Sequence, residues 1–411
     1  MGGSVKKLLN ILLLFICFSS INVKALDLDV KSNNIIMYNL DNNEVLFEKN
    51  DNDKVQIASL TKIMTALIVL DKIDDLEEQV TITYEDFNNL AKNNLATAGF
   101  KVGETVTYKD LLYGLLLPSG AEAAQALVRN VSGNTNDFVK LMNEKTEKLN
   151  LSNTHFSNPI GLDDENNYST AFEVSKLFNY ALKNNTFKDI ITTLKYTTSD
   201  GKLSFKSTIQ SNAKKYGIEV PYILGGKTGT TDGAGLCFAS IAKEKNIHYM
   251  LVTLGAVYDK KGAHHIEDAK TIYEYFMNNY DNYKIVDKKK SYKSLKTVYL
   301  KENEIKLYPK SDIIKYLPNN YDINDVRFEY DGVDEVSIFT NKNLGTLKIF
   351  YKDELLKEEK VVLKNKVNFS FHKFFKHNAL YVILIFLLIM GTLFVKRKKH
   401  KKRRKRLKTN R

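Results

Sequence analysis

The spacing of apolar residues changes along the chain, and each change predicts a different kind of element. Two short apolar runs, residues 33–40 and 44–48, flank three polar residues and predict a two-stranded hairpin. Apolar residues then recur at helical spacing, which predicts helices over residues 59–72, 108–117, 121–130, 135–149, 171–182 and 187–194. Extended runs return at residues 222–228, 236–242 and 249–257, before a helix at 264–279. Strands at both ends of a helical middle predict one α+β domain whose first and last strands share a sheet.

The following part of the chain, residues 284–367, has a different pattern. It is rich in Lys and alternates between apolar and polar residues, as at 298–300, 335–340 and 346–351. Such alternation predicts short strands in a small all-β domain. The Lys-rich stretch 288–293 is predicted to be the linker to this domain.

Apolar segments near both ends of the chain predict targeting to a membrane. Residues 8–18 are almost wholly apolar and follow Lys6 and Lys7, so residues 1–25 are predicted to be a secretory signal peptide. Residues 379–395 carry no charge and are predicted to form a transmembrane helix. The basic tail at residues 396–411 is of the kind that stays in the cytoplasm, which puts the preceding domains outside the cell. The alternative at either end is a buried helix.

The formal net charge of +13 first suggests a partner such as nucleic acid. Twelve of the 61 Lys and Arg residues lie in the tail, however, and three lie in the first 25 residues. The 46 that remain are balanced by 48 acidic residues, so a basic groove for nucleic acid is not expected. Adjacent His264 and His265 do not form a metal-binding pair on one helix face, and no metal or other cofactor is expected. Without the signal peptide, Cys237 stands alone and no internal disulfide can form.

Ser59 and Lys62 form the first of three candidate motifs. Residues three apart share a face of a helix, so the helix predicted from residue 59 brings the two side chains together. A Ser hydroxyl becomes an effective nucleophile when a neighbouring base takes its proton. A Lys amine is such a base only if burial or a second cation lowers its pKa. Alone, the pair is more typical of a helix-capping Ser followed by a surface Lys.

The second motif, Ser119-Gly120-Ala121, lies between two predicted helices. A Ser on such a turn can project into a cleft and relay a proton. Standing alone, the motif is again more typical of a helix cap.

The third motif, Lys227-Thr228-Gly229-Thr230, lies on a predicted strand. Lys227 offers a cation for a carboxylate, and Gly229 lets a ligand approach the backbone closely. The backbone N–H groups near Thr230 and of Ser59 could together form an oxyanion hole. The alternative is a glycine-flanked turn with a surface Lys.

The order and separation of these motifs resemble those of penicillin-binding proteins and class A β-lactamases. The surrounding residues resemble the low-molecular-weight penicillin-binding proteins, the serine-type D-alanyl-D-alanine carboxypeptidases, from about residue 30 to residue 280. The likeness is carried by IASLTKIMTA at residues 57–66, DLLYGLLLPSG at 110–120, NTHFSNP at 153–159 and GKTGTT at 226–231.

The resemblance implies a penicillin-binding or β-lactamase-like catalytic domain over residues 26–283, with an antiparallel sheet and a cluster of helices. It implies that Ser59 is the acylated nucleophile, that Lys62 is its general base, and that Ser119 assists proton transfer to the leaving D-alanine. It also implies that substrate is bound by Lys227, Thr228, Gly229 and Thr230.

The implied partners are peptidoglycan stem peptides ending in D-Ala-D-Ala, β-lactams as inhibitors, and a bacterial plasma membrane. One position departs from the family pattern, because Ala121 stands where Asn is usual in the second motif. Loss of that hydrogen-bonding side chain could cost about 1–3 kcal/mol, which affects efficiency more than reaction class.

Several alternatives remain open at this point. A class A β-lactamase needs a carboxylate for deacylation in an E-x-x-L-N loop, and Thr146 stands where that Glu would be, before Leu149 and Asn150. A catalytically weak wall-binding scaffold is suggested by Ala121. Transpeptidase or endopeptidase activity on the same acyl-enzyme is the third alternative.

Overall fold

The computed structural model describes Leu26 and residues 28–363 and 366–409. The predicted signal peptide, residues 1–25, lies outside the described residues. The chain divides into two compact units, the first ending at Asn278 and the second beginning at Asn279. The sequence placed this division after residue 283. The difference arises because residues 280–286 already form a strand that pairs within the second unit.

The first unit combines strands and helices. Its strands are β1 (Asn34–Asn39), β2 (Glu44–Lys49), β3 (Gln79–Thr81), β4 (Thr105–Thr107), β5 (Lys195–Thr197), β6 (Ser204–Lys206), β7 (Ile223–Thr231), β8 (Gly235–Glu244) and β9 (Ile247–Ala256). Its helices are α1 (Thr61–Lys72), α2 (Tyr108–Leu116), α3 (Ala121–Ser132), α4 (Thr135–Lys148), α5 (Ala171–Ala181), α6 (Asn185–Thr192), α7 (Thr208–Tyr216) and α8 (His264–Asn279).

A five-stranded antiparallel sheet forms the frame of this unit, in the order β2-β1-β9-β8-β7. The first strand of the chain pairs with the last strand of the sheet, with Asn34 opposite Leu254 and Asn39 opposite Tyr249. The α+β class and the shared sheet predicted from the sequence are therefore confirmed. The pairing also places β7, which carries the Lys227 motif, at the sheet edge opposite β2.

Helix α1 lies at the centre of the helical cluster. Residues 61–69 are all buried, because the helix is apolar on nearly every side. They join one continuous apolar core with sheet residues such as Val252 and Leu254. Each fully buried Leu, Ile or Val side chain contributes roughly 1.5–3 kcal/mol relative to an exposed one, so α1 is firmly held.

The apolar pattern missed three short elements of the first unit. The two-stranded sheets β3–β4 and β5–β6 pair only three residues on each strand, which is too short to show a period of two. Helix α7 has only two buried residues, Ile209 and Ala213, and so has little apolar periodicity. The first residue of this helix, Thr208, contacts Thr228, and the sequence did not indicate this contact.

The second unit is built from small sheets and two helices. Its strands are β10 (Tyr280–Val286), β11 (Lys293–Thr297), β12 (Glu304–Leu307), β13 (Ile313–Pro318), β14 (Val326–Gly332), β15 (Glu335–Val336), β16 (Asn343–Tyr351) and β17 (Glu354–Val362). Its helices are α9 (Phe371–His377) and α10 (Ala379–Thr409). The sheets have the orders β10-β13, β12-β11-β15 and β14-β16-β17, and they enclose an apolar cluster that includes Leu295, Leu347 and Ile349.

Three details of the second unit differ from the sequence interpretation. Of residues 335–340, predicted to be a strand, only Glu335 and Val336 form one, β15. Residues 288–293, predicted to be the linker, connect β10 to β11 inside the unit, because β10 already pairs with β13. Residues 298–300, predicted to be a strand, make only one isolated bridge, between Leu300 and Phe369. Polar–apolar alternation of three residues does not distinguish a strand from a turn that packs one side chain.

Helix α10 contains the predicted membrane segment. Within its part from Ala379 to Lys402, the most apolar 18 residues have a mean hydropathy of 2.4 and are not buried by the described residues of the protein. By length and composition this helix can cross a membrane.

Candidate active site

Ser59 lies in a single 3₁₀ turn, Ala58–Leu60, directly before α1. The α-helix therefore begins at Thr61, two residues later than the sequence pattern predicts. The preceding residue, Ala58, has a φ of 47°, a left-handed conformation that is uncommon for a residue with a side chain. This sharp turn leaves Ser59 partly exposed, while its neighbours Ala58 and Leu60 are buried.

Lys62 directs its amine at the Ser59 hydroxyl. Nζ lies 3.0 Å from Ser59 Oγ and donates a second hydrogen bond of 2.7 Å to the carbonyl oxygen of Ile160. The side chain is buried, with 2% of the residue surface exposed. Burial lowers the pKa of Lys62 to about 7, and the nearby Glu122 carboxyl opposes this shift. A large fraction of Lys62 is therefore neutral near pH 7 and able to accept a proton.

The carbonyl of Ile160 is held by a turn that starts at Asn158. Asn158 Oδ1 accepts hydrogen bonds from the amides of Ile160, Gly161 and Leu162, at 3.3, 2.8 and 2.9 Å. From α1, Thr65 Oγ1 donates to the carbonyl of Pro159 at 2.6 Å. The turn is therefore fixed to the helix that carries Lys62.

Gly161 brings the same turn against the backbone of the nucleophile. Its φ is 82°, and an added Cβ would lie 2.0 Å from the carbonyl oxygen of Ala58 and 2.9 Å from the amide of Ser59. Only Gly fits this close approach. The sequence interpretation included residues 153–159 in the resemblance but assigned no role to Asn158 or Gly161; the Asn-Pro-x-Gly turn pattern was the available signal.

Ser119 and Lys227 form a second polar pair. Lys227 Nζ donates to Ser119 Oγ at 2.9 Å and to the carbonyl of Thr228 at 2.7 Å. Ser119 has a φ of 66°, so the break between α2 and α3 turns its side chain toward β7. Lys227 is fully buried, and burial together with the neighbouring charge of Lys62 holds its pKa well below the usual value. A carboxylate at this amine would favour its charged form.

Strand β7 passes close to the nucleophile. A Cβ on Gly229 would lie 2.9 Å from the Ser59 amide, so this glycine permits the contact between strand and turn. Thr228 Oγ1 lies 2.7 Å from Thr208 Oγ1, the first residue of α7, and Thr230 is exposed. All seven residues selected from the sequence therefore lie on three neighbouring segments: the turn at Ser59 with the start of α1, the turn at Ser119, and β7.

Glu122 is a buried acid beside these segments, and nothing in the sequence indicated that it is buried. It lies in the first turn of α3 and is fully buried. Oε1 accepts a 2.8 Å hydrogen bond from the amide of Gly99, while Oε2 has no partner among the described residues. Burial raises the pKa of this carboxyl. Ala121 next to it is also buried and supplies no polar group where the family pattern has Asn.

Among the described residues, no group of three or more His, Cys, Asp or Glu side chains is placed to hold a metal ion. His264 Nδ1 lies 2.6 Å from Glu267 Oε2, and its Nε2 lies 3.0 Å from Asp259 Oδ1. The ring of His265 packs against the ring of Phe238. Both histidines are therefore parts of the α8 packing.

Comparison with known proteins agrees with this geometry. Residues 21–257 match the family described as D-alanyl-D-alanine carboxypeptidase. The D-alanyl-D-alanine carboxypeptidase DacF of Bacillus subtilis (strain 168) is 27% identical over 332 residues, which cover 80% of this chain and 84% of that protein. The D-alanyl-D-alanine carboxypeptidase of Streptomyces sp. (strain K15) is 34% identical over 209 residues, covering 48% of this chain and 71% of that protein.

Solved structures show the same fold. The Streptomyces K15 DD-transpeptidase matches with a TM-score of 0.54 and 28% identity, over 60% of this chain and 97% of that one. Penicillin binding protein 5 from Haemophilus influenzae matches with a TM-score of 0.58 and 22% identity, over 82% of this chain and 98% of that one. The family match covers more than half of the sequence and includes the three motifs. The chain therefore belongs to the D-alanyl-D-alanine carboxypeptidase family of serine peptidases.

Proposed function

We propose that this enzyme removes the terminal D-alanine from peptidoglycan stem peptides through an acyl-enzyme on Ser59. The observation that carries the proposal is the 3.0 Å contact between Ser59 Oγ and the buried amine of Lys62, whose pKa is lowered to about 7. A neutral amine at hydrogen-bonding distance is the base that a Ser nucleophile requires.

In the acylation step, Lys62 takes the proton of Ser59 as Oγ attacks the carbonyl carbon of the penultimate D-alanine. The amides of Ser59 and Thr230 would stabilise the negative charge on the carbonyl oxygen. The peptide C–N bond then breaks, and the leaving D-alanine takes up a proton by way of Ser119. Attack of water on the ester releases the shortened peptide and restores the Ser59 hydroxyl.

Recognition of the substrate carboxylate falls to Lys227 and Thr228. The amine of Lys227 already bridges Ser119 Oγ and the carbonyl of Thr228, so it is fixed in position before a ligand arrives. A substrate carboxylate would favour the protonated amine, which burial alone disfavours. This arrangement links binding of the terminal carboxylate to the proton relay at Ser119.

The same acyl-enzyme can be attacked by an amine in place of water, which would give transpeptidation. The name of the Streptomyces K15 DD-transpeptidase supports this second candidate. A β-lactamase reaction is less well supported, because Thr146 stands where that reaction needs a Glu, and its Oγ1 donates a hydrogen bond to the carbonyl of Asn143 within α4. Hydrolysis remains the proposed reaction.

For the whole chain we propose a signal peptide at residues 1–25, a catalytic domain at 26–283 and a β domain at 284–367. A transmembrane helix at 379–395 and a cytoplasmic tail at 396–411 complete the division. The apolar helix α10 supports membrane anchoring, and its basic end supports a tail inside the cell. The catalytic domain would then face the peptidoglycan outside the plasma membrane.

The test is release of D-alanine from diacetyl-lysyl-D-Ala-D-Ala by the full chain, with Ser59→Ala as the matched inactive control. We expect release by the native chain and a single penicillin adduct by intact mass, both lost in Ser59→Ala. Labelling by penicillin without D-alanine release would contradict the carboxypeptidase proposal and favour a wall-binding scaffold. Rapid turnover of nitrocefin would favour a β-lactamase.

A further inference from the structure

Helix α9 presents two aromatic side chains to solvent directly before the apolar helix α10. Phe371 is 70% exposed and Phe375 is 50% exposed. The two residues are four positions apart, so they lie on one face of the helix. Such a pair of exposed Phe side chains is costly in water unless another surface covers it.

The opposite face of α9 is already occupied by the segment from Tyr299 to Asn303. The rings of Tyr299 and Phe374 are 5.1 Å apart. Lys373 Nζ donates to the carbonyls of Lys301 and Glu302 at 3.1 and 2.9 Å, and to Asn303 Oδ1 at 2.9 Å. Because this face is held, α9 cannot rotate to bury Phe371 and Phe375 against the same segment.

The junction between α9 and α10 is also fixed. Asn378 Nδ2 donates to the Tyr299 hydroxyl at 3.0 Å. The amide of Asn378 donates to the carbonyl of Phe374, and the amide of Val382 donates to the carbonyl of Asn378. These bonds carry the helical pattern from α9 into α10. The position of Phe375 relative to Ala379, the first residue of α10, is therefore fixed.

The length of the apolar helix indicates what covers the exposed pair. The uncharged stretch at residues 379–395 would span about 25 Å at about 1.5 Å per residue. The hydrocarbon core of a bilayer is about 30 Å thick, so this stretch is about 5 Å short. Lys396 bounds the stretch at its inner end. At its outer end Lys376 and His377 separate Phe375 from Asn378, so α9 can extend the apolar surface along the face of Phe371 and Phe375. Phe is typical of the apolar face of helices that lie at this depth.

We propose that α9 is an interfacial helix whose Phe371 and Phe375 lie in the outer headgroup boundary of the bilayer that α10 spans. The segment from Tyr299 to Asn303 then fixes the β strands of the second unit to the membrane surface. This inference rests on the proposed membrane anchor and adds to it a second, lipid-binding surface.

The chain contains no Trp, so a single introduced Trp is an unambiguous fluorescent reporter. The full chain would be reconstituted in bilayers of phosphatidylcholine and phosphatidylglycerol whose acyl chains carry bromine either near the headgroup or near the bilayer centre. The reporters are Phe371→Trp and Phe375→Trp on the exposed face, Phe374→Trp on the held face, and Phe386→Trp within α10.

We expect shallow bromine to quench Phe371→Trp and Phe375→Trp strongly and Phe374→Trp much less, and deep bromine to quench Phe386→Trp. Quenching of Phe386→Trp without shallow quenching of both exposed-face reporters would overturn the interfacial helix and leave the anchor intact. Equal quenching of the Phe374→Trp variant would also overturn it, because the held face would then be in lipid. No quenching of Phe386→Trp would contradict the anchor itself, and the inference with it.

Discussion

At the scale of single residues, the pH dependence of this site is set by two buried lysines, Lys62 and Lys227. Burial lowers the pKa of both, but the proposed mechanism needs them in opposite states. Lys62 must be neutral to take the proton of Ser59, whereas Lys227 must be charged to hold a carboxylate. The two amines interact, so the site titrates as a pair and its apparent pKa values belong to both groups.

The first prediction concerns the acid side of the pH profile. As pH falls through about 7, Lys62 becomes protonated and can no longer accept the Ser59 proton, so acylation slows. The second-order rate of penicillin acylation should therefore rise from acid to neutral pH. Lys62→Ala should lower that rate about 10²–10⁴-fold, whereas Lys227→Ala should mainly weaken carboxylate recognition. An unchanged rate in Lys62→Ala would rule out its role as base.

The second prediction concerns Ala121, which is buried at the start of α3. If Ala121 simply replaces the usual Asn in an intact cleft, Ala121→Asn should leave acylation unchanged or speed it. One regained hydrogen bond is worth about 1 kcal/mol, or roughly fivefold in rate. The measurement is the acylation rate together with thermal stability. A clear loss of rate at unchanged stability would mean that the cleft has repacked around the small side chain.

The residues of the three motifs could be selected from the sequence, whereas the buried residues packed around them could not. Ser59, Lys62, Ser119 and Lys227 were selected because three motifs, each weak alone, occur together in a fixed order and separation. The burial of Glu122 could not be predicted, because a charged residue in a helix is usually exposed and its carboxyl accepts a hydrogen bond from an amide distant in sequence, that of Gly99. Contacts of that kind arise from tertiary structure and leave no local pattern.

At the scale of elements, the site depends on two turns pressed against each other. The turn from Asn158 to Leu162 positions the carbonyl that binds Lys62, and it touches the backbone next to Ser59 through Gly161. Helix α1 was predicted well because it is strongly apolar, and β7 was placed to within three residues as an extended run bounded by turn residues. The left-handed residue Ala58, which ends the regular pattern before α1, could not be predicted because Ala rarely takes that conformation.

The third prediction tests whether the contact of Gly161 with the backbone at Ser59 matters for acylation, apart from the backbone strain of replacing any glycine that has a positive φ. Gly161→Ala and Gly133→Ala both add a side chain at a similar φ, 82° and 79°, and this conformation alone should cost each variant about 1–2 kcal/mol of stability. The contact with Ala58 should add to that cost in Gly161→Ala. At Gly133 nothing lies within 4 Å, whereas at Gly161 the new Cβ would press on Ala58 and Ser59. Acylation should therefore fall sharply only in Gly161→Ala. Equal rates in the two variants at matched folded fraction would show that the turn does not position Ser59.

At the scale of the whole molecule, the fourth prediction concerns orientation in the membrane. The basic residues after Val395 favour a cytoplasmic tail and an external catalytic unit. Protease added to intact cells should remove the catalytic unit and spare an epitope at the C-terminus, which should be digested only after permeabilisation. A catalytic unit that resists protease on intact cells, but not after lysis, would contradict the topology and the proposed access to peptidoglycan.

The pairing of β1 with β9 also governs when the catalytic unit can fold. Asn34 and its partner Leu254 are about 220 residues apart, and at the usual 5–20 residues per second their synthesis is separated by roughly 10–40 s. During that interval β1 can pair with β2 but lacks its second neighbour, so an apolar strand edge is open to other chains. Such long-range closure makes folding slow. A nascent chain that stops short of β9 would therefore be prone to aggregate, and its first hairpin stays without a second neighbour until residues 247–256 have been made.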